Sequence, residues 1–256
     1  LIVGAGASIV LDELTGVSVP DATQSNEALT VVVGDGARVD YSAQVAEQHE
    51  KAVALHSLFV IMGANAEFNG FCLTPCAGLV RRQIFARLNG EHSTLSLGGL
   101  SLLRGKEHAD TTLVVDHAVP NCVSREFFRH ILDDEATGVF QGKIVVRQHA
   151  QKTDGGMKSQ TLVLGEEASM NNKPELEIFA DDVVCGHGAT VGQLDQNQIF
   201  YLRARGLSRG EAESLLLEAF ANEALELVAD EAVRERFKLQ SDAWLSARHG
   251  AAGSEA

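Results

Sequence analysis

The chain has 256 residues, of which 45% are hydrophobic and 5% aromatic, and it carries a formal charge of −14. That length buries a sizeable core in one large or two small domains, while the excess of acid repels a phosphate backbone and excludes nucleic acid as a partner. No run of about 18 apolar residues occurs, so no helical membrane span is predicted.

Four cysteines, Cys72, Cys76, Cys122 and Cys185, are too few for a disulfide framework. With no export signal they predict free thiols in a reducing, cytoplasmic compartment. The spacing Cys72-x-x-x-Cys76 is not that of a zinc ribbon, and the pair reads as two small buried hydrophobes. The chain starts at Leu1 inside an apolar stretch, without Met or a basic leader, which predicts a piece of a longer protein.

From Leu1 to about Val184 the chain reads as short strands, among them Leu29–Val33, Val80–Leu88, Thr111–Val115, Gly142–Arg147, Thr161–Leu164 and Glu175–Phe179. Turns are expected at Gly34-Asp35-Gly36, Asn89-Gly90, Gly98-Gly99, Gly155-Gly156 and Asn171-Asn172. The stretch Arg125–Asp133 fits a helical turn or an irregular strand equally. A sandwich, a barrel and a parallel β-solenoid all suit such a region. Few aromatics and many glycines favour the solenoid, although no clean repeat period is visible.

After Leu194 the apolar period changes from two to about 3.6. Asp195 opens a short helix carrying Ile199 and Leu202 that should stop at Gly206, and Ser208 with Glu211 forms a capping box for a second helix. On that helix Ala212, Leu215, Leu216, Ala219, Phe220, Ala224, Leu227 and Val228 fall on one predicted face. Periodicity alone reads this face as core packing, with docking of another protein as the alternative. A third helix is expected near Asp230 with Val233 and Phe237 as contacts, and the tail from His249 should be disordered.

One constellation carries chemistry. If the strand runs through Asp181-Asp182-Val183-Val184-Cys185-Gly186-His187-Gly188, then Cys185 and His187 leave the same sheet face. A thiolate beside an imidazole suits iron–sulfur or zinc ligation, and the flanking glycines let a partner or cluster approach. Two ligands do not complete a site, so closure requires groups from another subunit. The alternatives are a buried cysteine with a satisfied histidine, or a Cys–His nucleophile, for which no orienting residue or oxyanion hole is identifiable. The remaining histidines lack metal-ligand spacing and read mostly as surface or loop residues. No phosphate-cradling loop occurs, so the chain itself should bind no nucleotide, and Gly4-Ala5-Gly6 lacks the third glycine of a dinucleotide loop.

The run Pro174–Val183, then Cys185-Gly186-His187-Gly188-Ala189-Thr190-Val191-Gly192-Gln193-Leu194-Asp195, Gln198–Leu207 and the helix to Phe220, is very similar to the signature of the SufB/SufD family of iron–sulfur cluster assembly scaffolds. Arg147, Gln148, Ala150, Gln151, Thr153 and Asp154 extend the match upstream. Gly188 stands where SufB-type chains carry Glu, and Ser159 falls near the place of their sulfur-accepting cysteine, so the resemblance is to the SufD-type branch.

That resemblance implies a mainly β fold: a right-handed parallel β-helix over 1–194, a small C-terminal α-helical domain over 195–247 and a disordered tail over 248–256. A preceding helical domain would lie outside this chain. The resemblance further implies a non-catalytic subunit that pairs with SufB through the β-helix, or with itself when SufB is absent. A nascent iron–sulfur cluster would form at the interface, with His187 and Cys185 as ligands. It implies docking of the ATPase SufC on the C-terminal helices through Ile199, Tyr201, Leu202, Arg205, Leu215 and Leu216, which reverses the core-packing reading of the second helix. Two other readings compete. A carbohydrate-active β-helix enzyme would need clustered acids in a groove, whereas the acids here are scattered. A SufB-like sulfur acceptor would need a cysteine near Ser159.

Overall fold

The structure, a computed structural model, describes residues 1–15, 23–45, 50–75 and 78–252. In chain order its strands begin with β1 (Ile2–Val3), β2 (Ser8–Thr15), β3 (Gln24–Val33), β4 (Arg38–Val45), β5 (Val53–Met62), β6 (Glu67–Thr74) and β7 (Leu79–Leu88). They continue with β8 (Thr94–Leu103), β9 (His108–His117), β10 (Val123–Leu132), β11 (Thr137–Val146), β12 (Asp154–Val163), β13 (Ser169–Ile178) and β14 (Val184–Gly192). Odd-numbered strands form one seven-stranded sheet and even-numbered strands the other, each in sequence order, and every pairing is parallel. A chain that visits two sheets in turn and always returns one strand further along is a parallel β-solenoid.

Alternation drives the strands. In β9, Ala109, Thr111, Leu113, Val115 and His117 point inward and are buried, while the residues between them are partly exposed. Corners are made by left-handed residues at Asn65, His92, Asn121, Asp134 and Lys152 and by Gly6, Gly36 and Gly105. Neighbouring coils clip these corners together: Asp35 accepts from the Ala64 amide at 2.8 Å and Asp134 from the Gly105 amide at 2.8 Å. The hidden period has a simple cause, because coils differ in length. Side chains that touch across adjacent rungs lie 26 residues apart for Ser57 and Gln83, 29 for Arg38 and Glu67, and 32 for Thr137 and Ser169.

Three expected turns are strand interiors instead. Gly98-Gly99 lies in β8, Gly155-Gly156 in β12 and Asn171-Asn172 in β13. Here glycine makes room rather than turning the chain. A Cβ at Gly98 would sit 2.8 Å from the Phe71 ring and 2.9 Å from a Leu227 methyl, and one at Gly99 would sit 2.6 Å from the Phe128 ring. Asn172 donates to the Ser159 hydroxyl at 2.9 Å. The ambiguous Arg125–Asp133 stretch lies almost wholly in β10, an ordinary ladder strand.

Past β14, Asp195 caps α1 (Gln196–Ala204) by accepting from the Asn197 amide, and Gly206 follows with a φ of 101°. Ser208 and Glu211 form both halves of the capping box of α2 (Arg209–Leu225). The third helix, α3, spans Glu231–Ala252 and buries Val233 and Phe237. Of the tail set at 248–256, residues 253–256 lie outside the described residues, as do Cys76, the His49 position and the side chain of His249.

The face expected of α2 is corrected. Leu217, Ala221 and Leu225 join Ala212 and Ala224 as its buried residues, and Leu215 is 46% exposed. The helix is wedged between a sheet and a second helix, so it is apolar on two sides. Leu217, Ala221, Ala224, Leu225 and Val228 pack with Phe237, Trp244 and Leu245 against Phe71, Leu73, Leu100, Leu102 and Ile131 of the even-numbered sheet. Arg129, almost fully buried on β10, rivets this joint. Its guanidinium bonds the Phe220 carbonyl at 2.5 Å, Gln160 at 3.0 Å and the Glu223 carboxylate, between the rings of Phe127 and Phe220. At the helix ends, Arg236 pairs with Asp12 at 2.7 Å and Arg248 with Asp133 at 2.5 Å.

Candidate functional site

Cys185 and His187 sit on β14, which ends the even-numbered sheet and pairs only with β12. The corner before it is held by the Lys152 amide donating to the Asp182 carbonyl at 2.7 Å and the Asp182 amide donating to the Gln151 side chain at 2.9 Å. Cys185 is aligned with Gly155, and His187 with Met157. The two are two residues apart on one strand, so the expected common face is present.

Their exposures differ. Cys185 is half-buried against the solenoid core, and His187 is exposed. A Cβ at Gly155 would lie 3.6 Å from the Cys185 sulfur, the Ser124 hydroxyl and an Ile144 methyl alike. The missing side chain at Gly155 therefore leaves a methyl-sized gap that the sulfur and the Ser124 hydroxyl share. Burial pushes the Cys185 thiol up; the Gly155 amide beside it pulls the other way.

A cleft of about 480 Å³ beside His187 is lined by Arg125, Glu126, Phe127, Met157 and Lys158 together with Gly156, Gly186 and Gly188. A Cβ added at Gly186 or Gly188 would meet nothing within 4 Å, so the strand face opposite Cys185 and His187 lies bare. Arg125 is held to Asp154 at 2.6 Å, and the Lys158 ammonium lies 5.6 Å from the centre of the Phe127 ring. Thiol and imidazole fit an iron–sulfur cargo by donor chemistry. Among the described residues, however, no group of three or more His, Cys, Asp and Glu side chains could hold a metal ion.

The residues expected to dock a partner divide in two. Tyr201, Leu202, Leu215 and Leu216 line one apolar groove between α1 and α2, with Ala219 at its base. Arg205 stacks 5.0 Å over the Tyr201 ring and donates to its hydroxyl at 2.8 Å. Ile199 is buried and faces a separate recess with Leu164, Leu194, Arg209 and Glu213.

Ser159, which stands near the place of a sulfur-accepting cysteine, is fully buried one rung before Ala189. A sequence profile described as "SUF system FeS cluster assembly, SufBD core domain" matches residues 1–220. The chain belongs to the SufB/SufD family. It is 40% identical over 183 residues to the "Iron-sulfur cluster assembly protein SufD" of Escherichia coli, which covers 72% of this chain and 43% of that protein. A SufBD family protein of Synechocystis is 32% identical over 208 residues, or 80% of this chain and 45% of that one. The "Protein ABCI7, chloroplastic" of Arabidopsis thaliana is 28% identical over 232 residues, covering 89% and 48%. The chain thus spans less than half the length of these relatives. Within the family it is SufD-like, as Gly188 and Ser159 predict.

Several polar residues of the solenoid interior escape a sequence reading. His56, His117 and His130 are buried on strands rather than on the surface, as are Arg82, Glu126 and Arg129. Charged residues at alternating strand positions look like the solvated face, and nothing local in the sequence says which face turns inward.

Proposed function

We propose that this chain is a non-catalytic, cytoplasmic scaffold on which a nascent iron–sulfur cluster is built at the boundary with SufB. The cluster is cargo, held by His187 and Cys185 together with ligands from the partner. One observation carries the reading: an exposed imidazole and a half-buried thiol share a face of an edge strand, and no third ligand accompanies them among the described residues. An edge strand has unpaired backbone groups that accept another chain, and glycines at 186 and 188 let that chain come close. The same edge would support pairing with a second copy when SufB is absent.

The groove lined by Tyr201, Leu202, Leu215 and Leu216 supports docking of SufC, whose ATPase supplies the nucleotide chemistry that this chain does not. Arg205 orients Tyr201 at its rim, and Ile199 supports the helix from behind.

The test is reconstitution with SufB and SufC. His187→Ala should lower cluster yield, read by visible absorption and iron content, by about tenfold or more, because even residues that merely orient a metal ligand cost that much. Complex formation should be unchanged. Normal cluster yield from the variant would sink the assignment.

A further inference from the structure

The cleft beside His187 opens on the other face of β14 from the imidazole itself. Strand alternation puts Cys185 and His187 in line with Gly155 and Met157 on one face, and Gly186 and Gly188 on the other. On that second, outer face two rows cross the sheet to its edge. Arg125, Gly156 and Gly186 form one row, and Phe127, Lys158 and Gly188 form the other. Each row ends in a glycine on β14, so the outer face steps down to bare backbone over its last strand, and the step is the cleft of about 480 Å³. Glycine weakens a strand interior, and where it recurs in a strand it suits the close approach of another backbone.

The two cations of this cleft are not equivalent. Arg125 is engaged: it lies along Gly156 and donates to the Ser124 carbonyl at 2.8 Å, the Asp154 carbonyl at 3.0 Å and the Asp154 carboxylate at 2.6 Å. Lys158 is exposed, and its ammonium lies 5.6 Å from the centre of the Phe127 ring without an ion pair among the described residues. That ring also carries Arg129 at 4.9 Å, whose charge Glu223 matches. The acids nearest Lys158 in the ladder do not answer it, since Asp154 is held by Arg125 and Glu126 belongs to the inward row. In a chain of formal charge −14, an uncompensated cation beside bared backbone is a local inversion of sign. Its complement is an extended segment that carries a carboxylate.

We propose that the segment of SufB that pairs with β14 also folds over this outer face and sets an Asp or Glu side chain in the cleft against Lys158. The inference rests on the reading of β14 as the boundary with SufB and adds a second contact to it. The partner then holds the strand from both sides, with cluster ligands on the Cys185 and His187 face and an ion pair on the glycine face. The reach is adequate. A strand added at the edge lies about 4.8 Å beyond Gly188, and Lys158 is one strand further in, a span that a lysine and a glutamate side chain bridge together.

The experiment measures pairing of the chain with SufB by calorimetry at several salt concentrations, with thermal unfolding of each variant as the check on folding. Lys158→Glu should weaken pairing by about tenfold or more, because like charges meet across the contact, and Lys158→Met should flatten its salt dependence. Gly188→Leu fills the cleft from within. A Cβ there meets nothing within 4 Å, so the variant should fold normally and still pair about tenfold more weakly. Carbodiimide, which joins an amine to a carboxylate in contact, should link Lys158 to an acidic residue of SufB, read by mass spectrometry. Wild-type affinity in both Lys158→Glu and Gly188→Leu overturns the inference and leaves the boundary at β14 standing, since the partner then meets the edge alone. A link from Lys158 only to a second copy of this chain, with SufB present, also overturns it. Failure of the wild-type chain to pair with SufB would sink the boundary reading and this inference with it.

Discussion

A carboxylic acid held away from water sets its own pH limit on the fold that holds it. Glu126 faces inward between Leu97 and Met157 and is 2% exposed. Desolvation pushes its carboxyl from 4.5 up to about 8, against weaker pulls from Ser124 and Arg125. The folded chain therefore keeps a proton that the unfolded chain releases, so the stability tied to that proton is full below 4.5 and is lost as pH rises toward about 8. Two buried histidines act in the opposite direction. Burial draws His117 and His130 from 6.5 down to about 4, so their contribution is present above 6.5 and is lost as pH falls toward 4. Glu126→Gln removes only the alkaline loss. Relative to wild type it should gain about 1.4 kcal/mol per pH unit between the two Glu126 values and then level off. Urea unfolding across that range checks it, and parallel profiles for variant and wild type would show that Glu126 ionises freely in the folded chain.

At the scale of single elements, glycine pairs were the misleading signal. A double glycine between apolar residues usually punctuates a chain, but inside a coil it admits a neighbour's ring or a packed helix, and sequence alone does not distinguish the two. Gly99→Ala tests this: the new methyl meets the Phe128 ring at 2.6 Å. Overpacking of this kind should cost about 1–3 kcal/mol, with partial recovery on adding Phe128→Leu, both read from thermal unfolding. No loss from Gly99→Ala would mean that the ring has room to withdraw. The helices were easier to read, because Asp195, Ser208 and Glu211 announce their starts through the unpaired amides of a first turn. The faces of α2 were not legible, since a helix packed on two sides has no single apolar stripe to find. Its free side makes a separate prediction. Leu215→Glu should weaken SufC binding by about tenfold or more in calorimetry, with stability changed by less than about 0.5 kcal/mol, as expected for an exposed position. Unchanged affinity would remove the groove from the docking surface.

Over the whole molecule, the switch of apolar period near Leu194 marked the passage from coils to helices, because the two periods serve different geometries. The pairing of Cys185 with His187 was legible for the same reason: strand periodicity alone puts them on one face. The register of the coils was not, because corner lengths vary and each variation shifts every rung that follows. Nor did the boundary reveal that the two parts share a core. Phe71, Leu73, Leu100, Leu102 and Ile131 of the solenoid are buried only with the help of Leu217, Leu225, Phe237 and Trp244 from the helices. Arg129 adds a cation that loses its Phe220 and Glu223 partners if the helices leave. A chain ending at 194 should therefore keep its parallel ladders yet expose a contiguous apolar face with an unpaired guanidinium at its edge, the kind of patch that drives association. It should bind a hydrophobic dye strongly and aggregate on size-exclusion chromatography while retaining β-type circular dichroism. A monomeric truncated chain with the melting temperature of the intact one would mean that the helices only rest on the solenoid, and that the joint through Arg129 contributes nothing to holding it.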